Sequence, residues 1–138
     1  MIARDLKSKL VNKKARIGVI GLGYVGLPLI EAFNDKGFDT LGCDIDPGRV
    51  KGLNAGRSPI KIIADSRVKA MVSSGRFVAT TDFARLKTCD AIIVCVPTPL
   101  TRHREPDISY VVETGRTIAR HLRRGQLVVL ESTTYPGT

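Results

Sequence analysis

With 138 residues, 43% of them hydrophobic and 25% charged, the chain has the length and composition of one globular domain able to bury a core. Its longest apolar runs, 91–96 and 127–130, fall far short of the roughly 20 residues that cross a bilayer, and no cleavable apolar leader follows the basic start, so the reading is a cytoplasmic protein with no membrane partner. A net charge of +9 raises the question of nucleic acid, but the basic residues are scattered and Phe 4, Tyr 3 and Trp 0 offer little for bases to stack on, so no nucleic-acid partner is expected.

Residues 1–13 read as a polar tail, carrying Lys7, Lys9 and Lys13 among scattered apolar positions, and the folded domain is taken to span 14–138. Residues 15–20 form a short apolar, partly β-branched run that leads straight into glycines, which predicts a buried first strand. Over 24–36, Val25, Leu29, Ala32 and Phe33 recur at helical spacing until Gly37 stops them. A second apolar run, 38–43, is closed by Asp44 and Asp46, and Pro47 suits the first turn of a helix over 47–53.

Gly56 and Pro59 make 54–60 a loop before a predicted helix over 65–73. A strand at 77–80 and a helical turn at 82–86 precede 91–96, whose unbroken apolar character predicts a central parallel strand covered on both faces. The Pro-, Thr- and Arg-rich stretch 97–106 is a loop in which His103 is solvated. Asp107 is a candidate N-cap for a helix over 108–122, the last strand is 126–130, and 131–138 is loop just beyond it, read as following a central strand. Strands alternating with helices predict an α/β, Rossmann-type doubly wound parallel sheet with helices on both faces.

The three cysteines form no CxxC pair and bring no His or carboxylate partner, so they read as reduced, buried small hydrophobes, and no metal site is expected. The chemistry lies instead in Gly21-Leu22-Gly23-Tyr24-Val25-Gly26, a GxGxxG placed where a strand ends and a helix begins. In that context Gly21 permits the tight turn, Gly23 lets the backbone approach a pyrophosphate, and Gly26 allows the helix to pack closely on the strand. The phosphates would rest on the helix N-terminus, where unpaired N–H groups and the helix dipole favour an anion. Asp44 ends the second strand about 18 residues after Gly26, near the spacing of about 20 at which a carboxylate reaches the adenosine ribose. A carboxylate there repels a 2′-phosphate, which favours NAD over NADP, although Arg49 nearby could hold a phosphate.

Gly21 to Gly26 with Tyr24-Val25, then Val96-Pro97-Thr98-Pro99, then Glu131-Ser132-Thr133-Thr134-Tyr135-Pro136-Gly137 together resemble the UDP-glucose/GDP-mannose dehydrogenase family over about 14–138. The resemblance implies oxidation of C6 of a nucleotide-linked sugar from alcohol to carboxylate, with two NAD reduced in turn through an aldehyde and a thioester on a cysteine. It also implies that Gly21, Leu22, Gly23, Tyr24, Val25 and Gly26 hold the pyrophosphate, and that Asp44, Ile45 and Arg49 meet the adenosine ribose. Val96, Pro97 and Thr98 would pass along the cofactor, and Ser132 and Thr133 would lie beneath the nicotinamide, Thr133 in a supporting catalytic role. The family's nucleophilic cysteine and active-site lysine would lie beyond Thr138, so the chain reads as an inactive fragment without its substrate domain, from a parent that forms homo-oligomers.

The form Glu105-Pro106-Asp107-Ile108-Ser109-Tyr110-Val111, with Glu131 opening ESTTYPG, is more similar to the UDP-N-acetylhexosamine 6-dehydrogenases of bacterial surface-polysaccharide synthesis. Two other readings stand beside this one. A 3-hydroxyacid or 6-phosphogluconate-type dehydrogenase shares the first fingerprint but not VPTP or STTYPG, and a non-enzymatic NAD-sensing module would need a nucleic-acid-reading motif that the sequence lacks.

Overall fold

The computed structural model describes residues 2–97, 101–104 and 107–131. Five parallel strands form one sheet in the order β3-β2-β1-β4-β5: β1 is Arg16–Ile20, β2 Asp39–Cys43, β3 Phe77–Thr80, β4 Ala91–Val94 and β5 Leu127–Leu130. The helices are α1 Ile2–Val11, α2 Gly26–Asp35, α3 Pro47–Asn54, α4 Asp65–Ser73 and α5 Ser109–His121, with a 3₁₀ turn at Phe83–Thr88.

Period-two alternation along the strands sends apolar side chains to both faces, and each face has its own core. On one face Ile17, Val19, Ala91, Ile93, Phe77 and Ala79 pack with Leu27 and Ile30 of α2, Leu53 of α3 and Val68 and Met71 of α4. On the other, Ile20, Leu41, Cys43, Ile92 and Val94 meet Leu86, Cys89 and Ile118 of α5. The strands themselves carry glycine where side chains of the covering segments come closest. A Cβ at Gly42 would meet Leu22 Cδ2 at 2.8 Å, and one at Gly18 would meet Cys89 Sγ at 2.9 Å.

Three features depart from the sequence pattern. The stretch read as a polar tail is helix α1, because Ile2, Leu6 and Leu10 recur every four residues; Leu10 packs against the core and Lys9 Nζ donates to Asp90 Oδ1 at 3.1 Å. β5, read as a central strand, lies at the edge of the described sheet with Leu127 at 43% and Leu130 at 41% exposure, because it pairs with β4 alone. Residues 24 and 25 stand outside α2, since the glycine loop runs on to Gly26 before the helical ladder starts.

Asp107 accepts from Ser109 N at 2.9 Å, while Ile108 holds the cap position of α5. The edge at β3 is closed by a side chain. Asn54 donates to the Ala79 carbonyl and accepts from Ala79 N–H, both at 2.9 Å, which occupies backbone groups that an edge strand otherwise presents to other chains.

Candidate functional site

The chain order reverses between β1 and β4. β1 leads outward to β2 and β3 on one side, and β4 to β5 on the other, so a crevice opens beyond the carboxyl ends of β1 and β4. That crevice measures about 920 Å³. Gly21 to Val25, Asp44 to Asp46, Arg49, Val96 and Pro97 all line it.

The loop from β1 to α2 is held from both sides. Gly21 N–H donates to the Cys43 carbonyl at 2.8 Å, and Gly21 sits at φ +93°, where a Cβ would also meet the Cys95 carbonyl oxygen. A Cβ at Gly26 would fall on the Gly21 carbonyl oxygen, so the third glycine is what lets α2 start against β1. Gly23 differs from both: a Cβ there would meet only Arg49 Nη1, at 3.7 Å, and would project into otherwise open space. Among the described residues, the N–H groups of Gly23, Tyr24 and Val25 have no acceptor within the chain. An open cradle with unpaired donors at a helix N-terminus fits a phosphate group.

Asp44 faces this loop across the crevice and is 8% exposed. Its Oδ2 accepts from Leu22 N–H at 2.9 Å, its Oδ1 accepts from Asp46 N–H at 3.0 Å, and Arg49 Nη1 lies 3.6 Å from Oδ2. Asp46 in turn caps α3, accepting from Gly48 N at 2.9 Å and Arg49 N at 3.2 Å, which sets where the Arg49 side chain begins. Ile45 stands at 75% exposure on the rim, with Tyr24 at 67% and Val25 at 52%.

Thr98, Ser132 and Thr133 lie outside the described residues. The remaining expected site residues from Gly21 to Pro97 border one crevice, apart from Gly26, which lies beneath the loop. The crevice also takes in residues that the sequence did not single out. Tyr110, Glu113, Thr114 and Thr117 of α5 line it, as does Phe83 of the 3₁₀ turn. The α5 spacing of i, i+3, i+4 and i+7 marks a single helix face, which in a polar helix reads as solvated until the sheet shows what it overlooks.

The cysteines are free thiols: Cys43 and Cys89 are buried, whereas Cys95 is half-buried in the crevice wall, so it is less enclosed than expected. Burial pushes the Cys43 thiol up to about 12 and the Cys95 thiol up to about 11. At about pH 8 an aromatic disulfide reagent should therefore modify Cys95 first, roughly 100-fold more slowly than a free thiol, and reach Cys43 and Cys89 only on denaturation. Rapid modification of all three in the native chain, followed by mass, would contradict this packing.

Compared with known proteins, residues 15–138 match the family model described as "UDP-glucose/GDP-mannose dehydrogenase family, NAD binding domain". The chain belongs to this family. It is 41% identical over 124 residues to the UDP-N-acetyl-D-mannosamine dehydrogenase of Pyrococcus horikoshii, covering 89% of this chain and 29% of that protein. Against the UDP-N-acetyl-D-glucosamine 6-dehydrogenase of Pseudomonas aeruginosa it is 37% identical over 126 residues, covering 91% and 29%. Among solved structures, the ternary complex of GDP-mannose dehydrogenase from Pseudomonas aeruginosa superposes with a TM-score of 0.84 at 30% identity, covering 89% of this chain and 29% of that one. This NAD-binding domain thus spans under a third of the length of the relatives it matches.

Proposed function

We propose that the chain forms the cofactor-binding part of an NAD-dependent nucleotide-sugar 6-dehydrogenase that oxidises the C6 alcohol of a UDP-sugar, a UDP-N-acetylhexosamine in preference to UDP-glucose, to the uronate. The observation that carries this reading is the glycine loop with unpaired N–H groups at the start of α2, opposed by Asp44 across the crevice. The sugar class follows the two relatives just described, which are named for UDP-N-acetylhexosamine substrates. When bound, NAD supplies the hydride acceptor.

The residues of this chain divide the work of holding it. Gly21 to Gly26 carry the pyrophosphate on backbone N–H groups. Asp44, Ile45 and Arg49 receive the adenosine ribose, and Val96 and Pro97 form the wall along which the dinucleotide runs. Thr98, Ser132 and Thr133 complete this assignment by their place in the family motifs, Thr133 in a supporting role only. The uronate product suits surface-polysaccharide synthesis. A cytoplasmic setting agrees with three thiols that form no disulfide, and the parent protein is taken to form homo-oligomers.

Calorimetric titration tests the cofactor assignment. NADH should bind at least about tenfold more tightly than NADPH, because a 2′-phosphate would be pressed against the Asp44 carboxylate. Equal or tighter NADPH binding would sink the assignment of Asp44, and no binding of either would sink the cofactor site.

A further inference from the structure

The carboxylate that ends β2 does two things at once. Both Asp44 oxygens are engaged with backbone, Oδ2 with the N–H of Leu22 inside the glycine loop and Oδ1 with the N–H of Asp46 at the entry to α3. The two amides belong to opposite lips of the crevice: Leu22 follows β1 and Asp46 follows β2. Asp44 is 8% exposed, and its charge is partly balanced by Arg49 Nη1 at 3.6 Å, an atom that also flanks the open cradle at Gly23.

We propose that Asp44 is a positioning residue for the pyrophosphate, clamping the glycine loop to the β2–α3 turn so that the Gly23, Tyr24 and Val25 amides are aimed before any nucleotide arrives. This rests on the proposed cofactor reading and extends it. A carboxylate that only met the ribose would matter only to ligands with ribose hydroxyls. A clamp matters to every ligand that carries the diphosphate, because a loop free to rearrange must be ordered on binding, and that ordering weakens affinity.

The loop supplies few other fixings. Gly21 N–H is held by the Cys43 carbonyl, and Leu27 N–H by the Gly23 carbonyl at 3.1 Å, so among the described residues Leu22 N–H is the one backbone bond between them that ties the turn to the end of β2 through a side chain. Removing the acceptor also leaves a buried donor unsatisfied, which favours loop conformations that return it to water. Two accepted N–H bonds and one nearby cation still leave lone pairs on the carboxylate for ribose hydroxyls, so clamping and ribose contact are compatible.

The experiment compares ADP with 2′,3′-dideoxy-ADP, which keeps the diphosphate and lacks both ribose hydroxyls. Calorimetry on the chain and on Asp44→Ala is joined to amide hydrogen exchange of the ligand-free proteins. Asp44→Ala should weaken dideoxy-ADP by about tenfold, although losing a negative charge beside a diphosphate would on Coulomb grounds alone strengthen it. Exchange at Leu22 and Asp46 should accelerate about tenfold or more while the β1 amide of Val19 keeps its protection.

Asp44→Asn retains one acceptor oxygen and presents an NH₂ to the other amide, so it should keep protection at only one of the two positions. If dideoxy-ADP binds Asp44→Ala as well as or better than it binds the unaltered chain, or if Leu22 and Asp46 stay protected in both variants, the clamp is overturned. Acceleration at Val19 in parallel with Leu22 would also overturn it, because the loss would then be global. Should the unaltered chain bind neither nucleotide, the cofactor reading fails, while the exchange data still decide the clamp.

Discussion

Gly23→Ala is expected to weaken NADH binding strongly and leave the fold intact, whereas Gly26→Ala is expected to abolish binding and destabilise the fold. At Gly23 the new methyl would meet nothing nearer than Arg49 Nη1 at 3.7 Å, and the backbone there is not in the left-handed region. Stability should hold or rise by about 0.5 kcal/mol, because alanine narrows the unfolded ensemble. The methyl would nevertheless stand in the cradle where phosphate oxygens approach the backbone, so NADH affinity should fall at least about 30-fold, roughly 2 kcal/mol.

At Gly26 the methyl would coincide with the Gly21 carbonyl oxygen, which is backbone and cannot swing aside. Either α2 lifts from β1 or the loop changes course. Burying an extra group in so tight a contact should cost about 3 kcal/mol, and the displaced helix start should bind no measurable NADH. Denaturant unfolding and calorimetry on the two variants separate the steric role from the ligand-facing one. If Gly23→Ala bound NADH normally, the phosphate cradle would not be where we place it.

The second large effect lies at the opposite end of the sheet. Asp90 is 7% exposed and gathers three elements: its Oδ1 accepts from Lys9 Nζ at 3.1 Å and from Arg123 Nη2 at 3.2 Å, and its Oδ2 accepts from Arg16 N–H at 2.9 Å. Burial pushes this carboxyl up, but the bonds from Arg16 N–H, Lys9 and Arg123 outweigh it and hold the group below the usual carboxylate range.

Asp90→Ala should therefore cost about 2–4 kcal/mol, because it strands a backbone donor and two cations, and α1 should lose its polar anchor. The folded carboxyl titrates lower than the unfolded one. Its contribution is thus complete above the ordinary carboxylate range and fades as pH falls through the folded value. Denaturant unfolding of the unaltered chain should show the difference from Asp90→Ala shrinking below about pH 4. A difference that stayed constant from pH 7 to the acid range would mean that the ion pairs contribute little.

Much of the sheet was legible because its signals are local. The runs that became β1, β2, β3 and β4 are apolar on both faces, as parallel strands between helix layers must be, and Pro47, Gly37 and Asp82 punctuate the chain where local backbone geometry requires it. The glycine loop was legible for the same reason, since φ +93° at Gly21 and the close approach at Gly26 admit no side chain. α1 was hidden by its composition: four charged positions mask a stripe of Ile2, Leu6 and Leu10 that means nothing until a core is there to receive it.

The amino-acid sequence alone determined the parallel α/β class, the place of the glycine loop between the first strand and the first helix after it, and the family, because each rests on residue types at fixed spacings along the chain. Only the tertiary structure decided that β5 lies at the edge of the described sheet, that Asp44 is bonded to Leu22 and Asp46, that Tyr110 to Thr117 of α5 line the crevice, and that Asp90 joins α1, β1 and the turn before β5. Apart from the Asp44–Asp46 bond, which is local, these depend on contacts between residues 22 to 81 positions apart, and no local periodicity encodes which buried donor will meet which carboxylate once the sheet has closed.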